Sequence, residues 1–231
     1  MAGQSPSSNT RRLIRLVVFR FGLAIVVLGL VFFLSAGTLK YWHAWVYCGI
    51  LFIPMFFVLL YLLKNDPALL ERRMRTKEKT RPQKLVIKLA TFVYAFAFLI
   101  PGFDYRFKWS SVPIVLVVAS DIVVFLGYLL FFLVLRENSY ASRVVEVEKS
   151  QKVISSGPYA FIRHPLYLAA LAMFFFSPIA LGSFWAMITV IPMPLLLAFR
   201  IKHEEGLLIK ELVGYQEYTQ RVRYRLIPKI W

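Results

Sequence analysis

Residues 157–167 read Gly-Pro-Tyr-Ala-Phe-Ile-Arg-His-Pro-Leu-Tyr, and position 165 also opens a run of 35 uncharged residues, 165–199. Proline suits the first turn of a helix, because the first N–H groups of a helix have no partner within it. The other N–H groups of that turn are free to face an anion. The stretch therefore predicts a helix start at a membrane surface beside Arg163 and His164, although basic residues also serve there as plain anchors.

The uncharged run is too long for one straight span. As a single helix it would extend ~52 Å, whereas the hydrocarbon core of a bilayer is ~30 Å thick. Ser177-Pro178 and Gly182-Ser183 lie near its middle and predict a break there. We therefore expect a helical hairpin with arms of roughly seventeen residues each. Pro192 and Pro194 are expected to kink the returning arm.

Apolar blocks before the hairpin indicate a polytopic membrane protein. The chain has 231 residues, of which 59% are hydrophobic and only 17% are charged, too apolar for an ordinary soluble domain. Residues 102–111 predict a compact turn between two of the blocks. The fold class that follows is all-α: a polytopic membrane helical bundle of about six transmembrane helices, with a C-terminal helical hairpin and cytoplasmic C-terminal helices. The four earlier spans are expected at 21–34, 44–63, 85–101 and 112–135.

Charge placement predicts the orientation of these spans. Of the 28 Lys and Arg residues, only Lys40, Arg106 and Lys108 fall in the loops of one side. The positive-inside rule makes the other side cytoplasmic, together with both termini. We divide the chain into a four-span membrane region, residues 1–136, and residues 137–231, which hold a loop, the hairpin and the tail within one integrated domain.

Composition also argues against several other functions. The net charge of +16 does not predict nucleic-acid binding, because the basic residues flank apolar blocks. A single cysteine, Cys48, excludes an intramolecular disulfide, and the three histidines lack the spacing of metal ligands. No metal is expected. Asp121 lies within the fourth span, where we interpret it as one side of a hydrogen bond between helices rather than as a catalytic group.

Acidic and basic residues follow the hairpin directly. The sequence from position 200 is Arg-Ile-Lys-His-Glu-Glu-Gly-Leu-Leu-Ile-Lys-Glu-Leu. If the returning arm continues as a helix, Arg200 and Glu204 share one face and Glu205 points ~100° away. An exposed ion pair would explain this spacing as well. The hairpin, however, returns these residues to the membrane face where His164 lies, so we expect one cytosolic cavity between them.

These motifs together resemble a known family. Gly-Pro-Tyr, Arg-His-Pro-Leu-Tyr, a membrane hairpin, Arg-Ile-x-x-Glu-Glu-x-x-Leu, Tyr-x-x-Tyr and Arg-Leu-Ile-Pro occur in this order over about residues 138–228. The set is similar to that of the isoprenylcysteine carboxyl methyltransferases, integral membrane enzymes that use S-adenosylmethionine. Asn65-Asp66-Pro67 and Asp104-Tyr105-Arg106-Phe107 resemble features of the prokaryotic relatives, which implies an inner or plasma membrane. Phospholipid methyltransferases and some membrane sterol reductases share parts of the pattern.

The resemblance implies a set of site residues. It places Arg200 at the methyl acceptor and implies a lipophilic or prenylated substrate that enters from the bilayer. Glu205 is a second candidate catalytic residue. The implied binding residues for S-adenosylmethionine are Gln151, Lys152, Val153, Ile154, Tyr159, His164, Pro165, Leu166, Tyr167 and Glu204.

The residue types suit that chemistry. N–H groups at a helix start bind a carboxylate, acidic side chains accept from an ammonium or a ribose diol, and tyrosines face an adenine or a sulfonium. A carboxylate acceptor is ionised at neutral pH, needs no base, and pairs with an arginine such as Arg200. An amine or thiol acceptor would need a base, for which His164 and Glu205 are candidates.

Two other functions remain open at this point. One is a membrane reductase that uses NADPH on a sterol- or quinone-like lipid, since such enzymes need not carry a Gly-x-Gly-x-x-Gly motif. The other is a small transporter or scaffold, which predicts inverted repeats or several charges along a pathway. The sequence shows neither of those two features.

Overall fold

In a computed structural model, the residues described are 8–76, 78, 80–148 and 150–231. They form helices joined by short loops, except for a long loop after Glu137, with a turn of 3-10 helix at Gly157–Ala160 and no strand in these ranges. The helices are α1 (Ser8–Ala36), α2 (Trp42–Asn65), α3 (Pro67–Met74), α4 (Arg81–Phe107), α5 (Ile114–Glu137), α6 (Pro165–Ala180), α7 (Trp185–Val190), α8 (Met193–Glu211) and α9 (Tyr215–Arg221).

The membrane bundle consists of six arms. Five of them are long and apolar enough to cross a bilayer, namely α1 from Thr10, α2, α4, α5 and the combined arm Trp185–Glu211. The sixth, α6, has 16 residues and therefore spans ~24 Å, a little less than the hydrocarbon core. Large apolar side chains cover the outside of the bundle, as a lipid environment requires. The predicted all-α polytopic bundle is confirmed.

The predicted hairpin is present, but its break differs in detail. The prediction of a break at Ser177-Pro178 was wrong, because α6 continues through Pro178 to Ala180. The chain turns at Gly182, whose φ of +76° is readily adopted by glycine. The Gly182 and Ser183 N–H groups donate to carbonyls of the last turn of α6 and close it. The second break falls at 191–192, where Pro192 precedes α8.

The predicted turn at 102–111 is shorter than expected. Helix α4 continues to Phe107 and ends at Lys108, whose φ is +55°. The reason is the buried Asp104 carboxylate, which accepts hydrogen bonds from the Ser110 N–H at 2.7 Å and from the Ser183 hydroxyl at 2.5 Å. These bonds hold α4 against the hairpin turn, so its last turn stays folded although its sequence is polar.

The hydrogen-bond partner predicted for Asp121 is not found. Asp121 is 8% exposed on α5, and its Oδ1 atom has no hydrogen-bond partner in the part of the chain that the structure describes. Further along the same helix, α5 packs closely against α6. A Cβ atom on Gly127 would lie 2.8 Å from the Met173 side chain of α6.

The basic ends of the arms meet at one end of the bundle. Helix α3 packs there against the ends of α2 and α5 through Leu69 and Leu70, in one apolar cluster with Leu135. Arg20 of α1 donates to the carbonyl of Met74 at the end of α3. The loop after α5, the start of α6 and the end of α8 lie at the same end, which places the basic segments together as the charge pattern predicted.

Candidate active site

The two ends of the hairpin contact each other through three side chains. The Tyr167 hydroxyl, in the first turn of α6, donates to Oε2 of Glu204 on α8. The same hydroxyl accepts from Nε of Arg200 at 2.9 Å. Arg200 and Glu204 lie one turn apart on α8 and thus reach one phenol together. The predicted closure of the hairpin ends around one site is therefore present in the structure.

Arg200 is the most extensively hydrogen-bonded of these residues. It is 7% exposed, and its Nη1 donates to Gln83 at 2.7 Å. Its Nη2 donates to Oε1 of Glu78 at 2.8 Å and to the carbonyl of Arg143 at 2.9 Å. Neither Gln83 nor Glu78 was a predicted site residue. Their separation from Arg200 by 117 and 122 positions explains why spacing alone does not reveal them.

Glu205 lies in a separate ionic cluster. It is 3% exposed, and its carboxylate lies 3.1 Å from Nε of Arg163 and 3.3 Å from Nε2 of His164. Nε of Arg225 lies 2.5 Å from its second oxygen. The predicted rotation between neighbouring glutamates is confirmed, since Glu204 bonds to Tyr167 whereas Glu205 faces Arg163, His164 and Arg225.

The C-terminal tail is tied to the start of α6. The N–H groups of Arg163 and His164 donate to the carbonyls of Tyr224 and Arg225, both at 2.9 Å. The Tyr218 hydroxyl of α9 donates to the carbonyl of Tyr159 at 2.7 Å. The tail thus forms part of the site, in addition to the lipid contacts that a basic segment makes.

A cavity of about 840 Å³, including the space continuous with solvent, opens between these elements. Of the predicted cofactor-binding residues, all except Pro165 line it, and so does Arg200. Pro165 is buried, and Glu205 is absent from the lining. Sequence reasoning missed the other lining residues, which are Asn138, Tyr140, Ala141, Ser142, Val144, Val145, Glu146, Arg163, Leu207, Leu208, Leu212, Tyr215 and Tyr218.

Most of the missed residues come from the loop after α5, whose extended course gives no periodic signal. Asn138 at its start donates to the Tyr159 hydroxyl at 2.8 Å. Burial raises the pKa of Tyr159 to about 12, and the hydrogen bond from Asn138 opposes this rise. The phenol is therefore protonated at neutral pH and acts as a hydrogen-bonding group, not as a base.

The start of α6 presents fewer free N–H groups than predicted. Those of Tyr167 and Leu168 donate to the carbonyl of His164, at 3.1 and 3.2 Å. Leu166 lines the cavity, and its N–H has no acceptor within the described ranges. The helix start therefore offers one backbone donor to a ligand.

Fold and cavity together define a class of protein: a helical integral membrane protein with a polar binding cavity at one end of its bundle. The model of the isoprenylcysteine carboxyl methyltransferase (ICMT) family matches residues 116–210. This segment includes most of α5, the loop, the hairpin and Glu204, so the chain is ICMT-like over most of the cavity-lining residues. Helix α9 and the tail lie outside the match. The matched segment is similar to a family of membrane methyltransferases. No curated protein matched the sequence.

Proposed function

We propose that this protein transfers the methyl group of S-adenosylmethionine to a lipid-like or prenylated acceptor, a carboxylate, at the cytoplasmic membrane face. One observation carries the proposal: Tyr167 from one end of the hairpin and Arg200 and Glu204 from the other end meet at a single cavity. All three lie within the segment that matches the ICMT family.

The groups around the cavity fit S-adenosylmethionine. Glu204 and Glu146 offer carboxylates to its ammonium and ribose hydroxyls, while Lys152 and the Leu166 N–H suit its carboxylate. Several tyrosines and leucines line the same space and suit the adenine ring. The mixture of both charge signs with aromatic rings matches a zwitterionic nucleoside better than a purely anionic dinucleotide.

When bound, S-adenosylmethionine supplies an activated methyl group. The task of the chain is then to orient and desolvate the two reactants, because an in-line displacement needs alignment rather than acid catalysis. Hydrogen bonds with Glu204 and Arg200 hold the Tyr167 side chain in one orientation, so its phenol ring is a fixed part of the cavity lining. Tyr159 is held in the same way by Asn138.

The surroundings of Glu205 argue against its use as a general base, which leaves His164, a cavity-lining residue, as the candidate base for an amine or thiol acceptor. A base for an amine or thiol would need free access to the acceptor, whereas Glu205 is buried among Arg163, His164 and Arg225. A carboxylate needs no base. Arg200 contributes positive charge to the acceptor side, and direct binding of the acceptor by Arg200 requires exchange of its present partner, Glu78.

Cofactor binding by purified protein tests the proposal directly. Wild-type protein in nanodiscs should bind S-adenosylmethionine by calorimetry, and both Glu204→Ala and His164→Ala should bind at least tenfold more weakly. Glu211→Ala, an exposed acid at the end of α8, is the matched control and should bind like the wild type. Absence of binding by the wild type would contradict the proposal.

The class of acceptor is tested by the chemistry of the product. Membranes containing the protein should transfer a labelled methyl group from S-adenosylmethionine into a lipid fraction. Mild alkali releases the label from a methyl ester as methanol and leaves N-methyl groups intact. Release supports a carboxylate acceptor, whereas alkali-stable label points to a phospholipid amine. Oxidation of NADPH by a lipid quinone or sterol, without methyl transfer, would support a reductase instead.

A further inference from the structure

Arg73 on α3 differs from most of the arginines around it. Most arginines near the cavity have a carboxylate partner: Arg72 pairs with Glu148 at 2.8 Å, Arg75 with Glu146 at 2.6 Å and Arg200 with Glu78 at 2.8 Å. Arg73 has one hydrogen bond, from Nη1 to the carbonyl of Ala141 at 3.0 Å, and no carboxylate partner among the described residues.

The guanidinium of Arg73 packs on an aromatic ring. Its guanidinium carbon lies 4.9 Å from the centroid of the Phe131 ring of α5. Burial, and next the charge of the nearby Arg143, lower the pKa of Arg73 to about 10, so that it stays charged at neutral pH. A half-buried cation without an anionic partner is costly, and an anion placed beside it would remove much of that cost.

Arg73 lies beside both the cavity and the aromatic residues of α5. It donates to the carbonyl of Ala141, which lines the cavity. The Phe131 ring under its guanidinium packs against the Tyr128 ring, with the ring centroids 6.0 Å apart. Tyr128 lines a groove between α2 and α5, which we call the α2–α5 groove, together with the aromatic residues Phe57, Tyr61, Phe125 and Phe132. Phe57 is 62% exposed, so this groove opens toward lipid. Its volume is about 710 Å³, including the space continuous with the surroundings.

We propose that Arg73 binds the carboxylate of the acceptor, while the acceptor's single apolar chain lies in the α2–α5 groove. This inference rests on the proposed function and adds an acceptor-binding residue. The charge of the guanidinium complements a carboxylate, and an aromatic groove beside it complements a hydrocarbon chain. Arg200, by comparison, already donates four hydrogen bonds to groups of the protein.

The reaction itself explains how the product leaves such a site. A carboxylate oxygen forms a bond to the methyl carbon while the bond from that carbon to sulfur breaks, and no proton is transferred. The products are a neutral ester and a neutral thioether. The ester has lost the charge that paired with Arg73, so its affinity falls and the apolar chain can return to the bilayer.

The test compares binding of an acid with binding of its methyl ester. The probes are N-acetyl-S-farnesylcysteine and its methyl ester, titrated into the full chain in nanodiscs. Wild type should bind the acid at least tenfold more tightly than the ester. Arg73→Gln should lose this preference and Arg73→Lys should keep part of it, while Arg136→Gln, which removes an exposed charge from the end of α5, should retain it.

Several outcomes would overturn this inference without touching the proposed function. These are a wild type that binds acid and ester equally, or an Arg73→Gln variant that keeps the preference, while S-adenosylmethionine still binds. Leu129→Trp, which fills the α2–α5 groove, should weaken the binding of the acid and of the ester by the same factor. Unchanged probe binding in that variant would show that the farnesyl group of the probe does not lie in the α2–α5 groove. If the wild type does not bind S-adenosylmethionine, that result would instead contradict the proposed function.

Discussion

Glu204 and Glu205 are adjacent residues that the structure uses in different ways. Glu204 is half-buried, lines the cavity and accepts from Tyr167. Glu205 is 3% exposed and is surrounded by the side chains of Arg163, His164 and Arg225. A rotation of ~100° between consecutive helical positions is sufficient to place one carboxylate at the cavity and its neighbour in an ionic cluster.

Replacing Glu204 should affect ligand binding more than stability. Glu204→Gln keeps the size of the side chain but removes the charge that accepts from Tyr167 and faces the cavity. A hydrogen bond to a charged group contributes about 1.5–3 kcal/mol, so the Kd for S-adenosylmethionine should rise roughly 10- to 100-fold. Calorimetry measures this change. An unchanged Kd would show that Glu204 does not contact the cofactor.

Replacing Glu205 should have the opposite profile. Glu205→Gln leaves the cations of Arg163 and Arg225 without their carboxylate inside the protein. Removal of one partner from a buried ion pair costs about 3–5 kcal/mol. We expect a clear fall in the thermal midpoint in detergent, measured by tryptophan fluorescence. If Glu205→Gln unfolds like the wild type, the ionic cluster does not hold the tail to the start of α6.

At the scale of helices, the sequence predicted the apolar arms and the hairpin, because long uncharged runs and turn residues are local signals. It did not predict the last turn of α4, since Asp104 and Ser183 lie 79 positions apart yet bond to each other. The partners of Arg200 were missed for the same reason. Local patterns give the elements, whereas the contacts between elements depend on residues far apart in sequence.

Close packing of α4 against α1 depends on Gly102. A Cβ atom at this position would lie 1.8 Å from Oγ of Ser35 and 3.0 Å from the backbone N of Ala36. Gly102→Ala should therefore destabilise the bundle by about 1–3 kcal/mol. Gly29→Ala in α1 is the control, because nothing lies within 4 Å of its added Cβ. Equal thermal midpoints for both variants would contradict this packing.

Helix α3 holds the cavity loop through Arg72, which makes two hydrogen bonds to Glu148, each of 2.8 Å. The hydrogen bond from Arg72 is the main cause that lowers the pKa of Glu148 below its ordinary value. Because the pKa of Glu148 is lowered in the folded state, the ion pair stabilises the loop at pH values above the ordinary pKa of a carboxyl group. This contribution is lost as the pH falls through the pKa of Glu148 in the folded state.

Cofactor binding should therefore weaken at acidic pH through this pair. The pair is partly exposed, so the expected change in Kd is only about two- to fivefold. Glu148→Gln should bind S-adenosylmethionine as weakly at neutral pH as the wild type does in acid, and should lose this part of the pH dependence. Calorimetry across the acidic range measures it. An unchanged pH profile in the variant would exclude Glu148 as its source.

At the scale of the whole molecule, the bundle gathers its basic segments and its cavity at one end. The opposite end carries Lys40, Arg106 and Lys108, together with aromatic residues such as Trp42 and Trp109 that suit a membrane interface. By the positive-inside rule, we expect the cavity at the basic end to face the cytosol. This orientation would let S-adenosylmethionine enter the cavity from the cytosol.

Cysteine labelling tests this orientation, because Cys48 is the only native cysteine. In a Cys48→Ala background, Glu217→Cys marks the cavity end and Lys40→Cys marks the opposite end, and both side chains are exposed. A membrane-impermeant maleimide should label Glu217→Cys only in inverted vesicles and Lys40→Cys only in right-side-out vesicles. Labelling in the reverse pattern would put the cavity outside the cell, where a cytosolic methyl donor could not reach it.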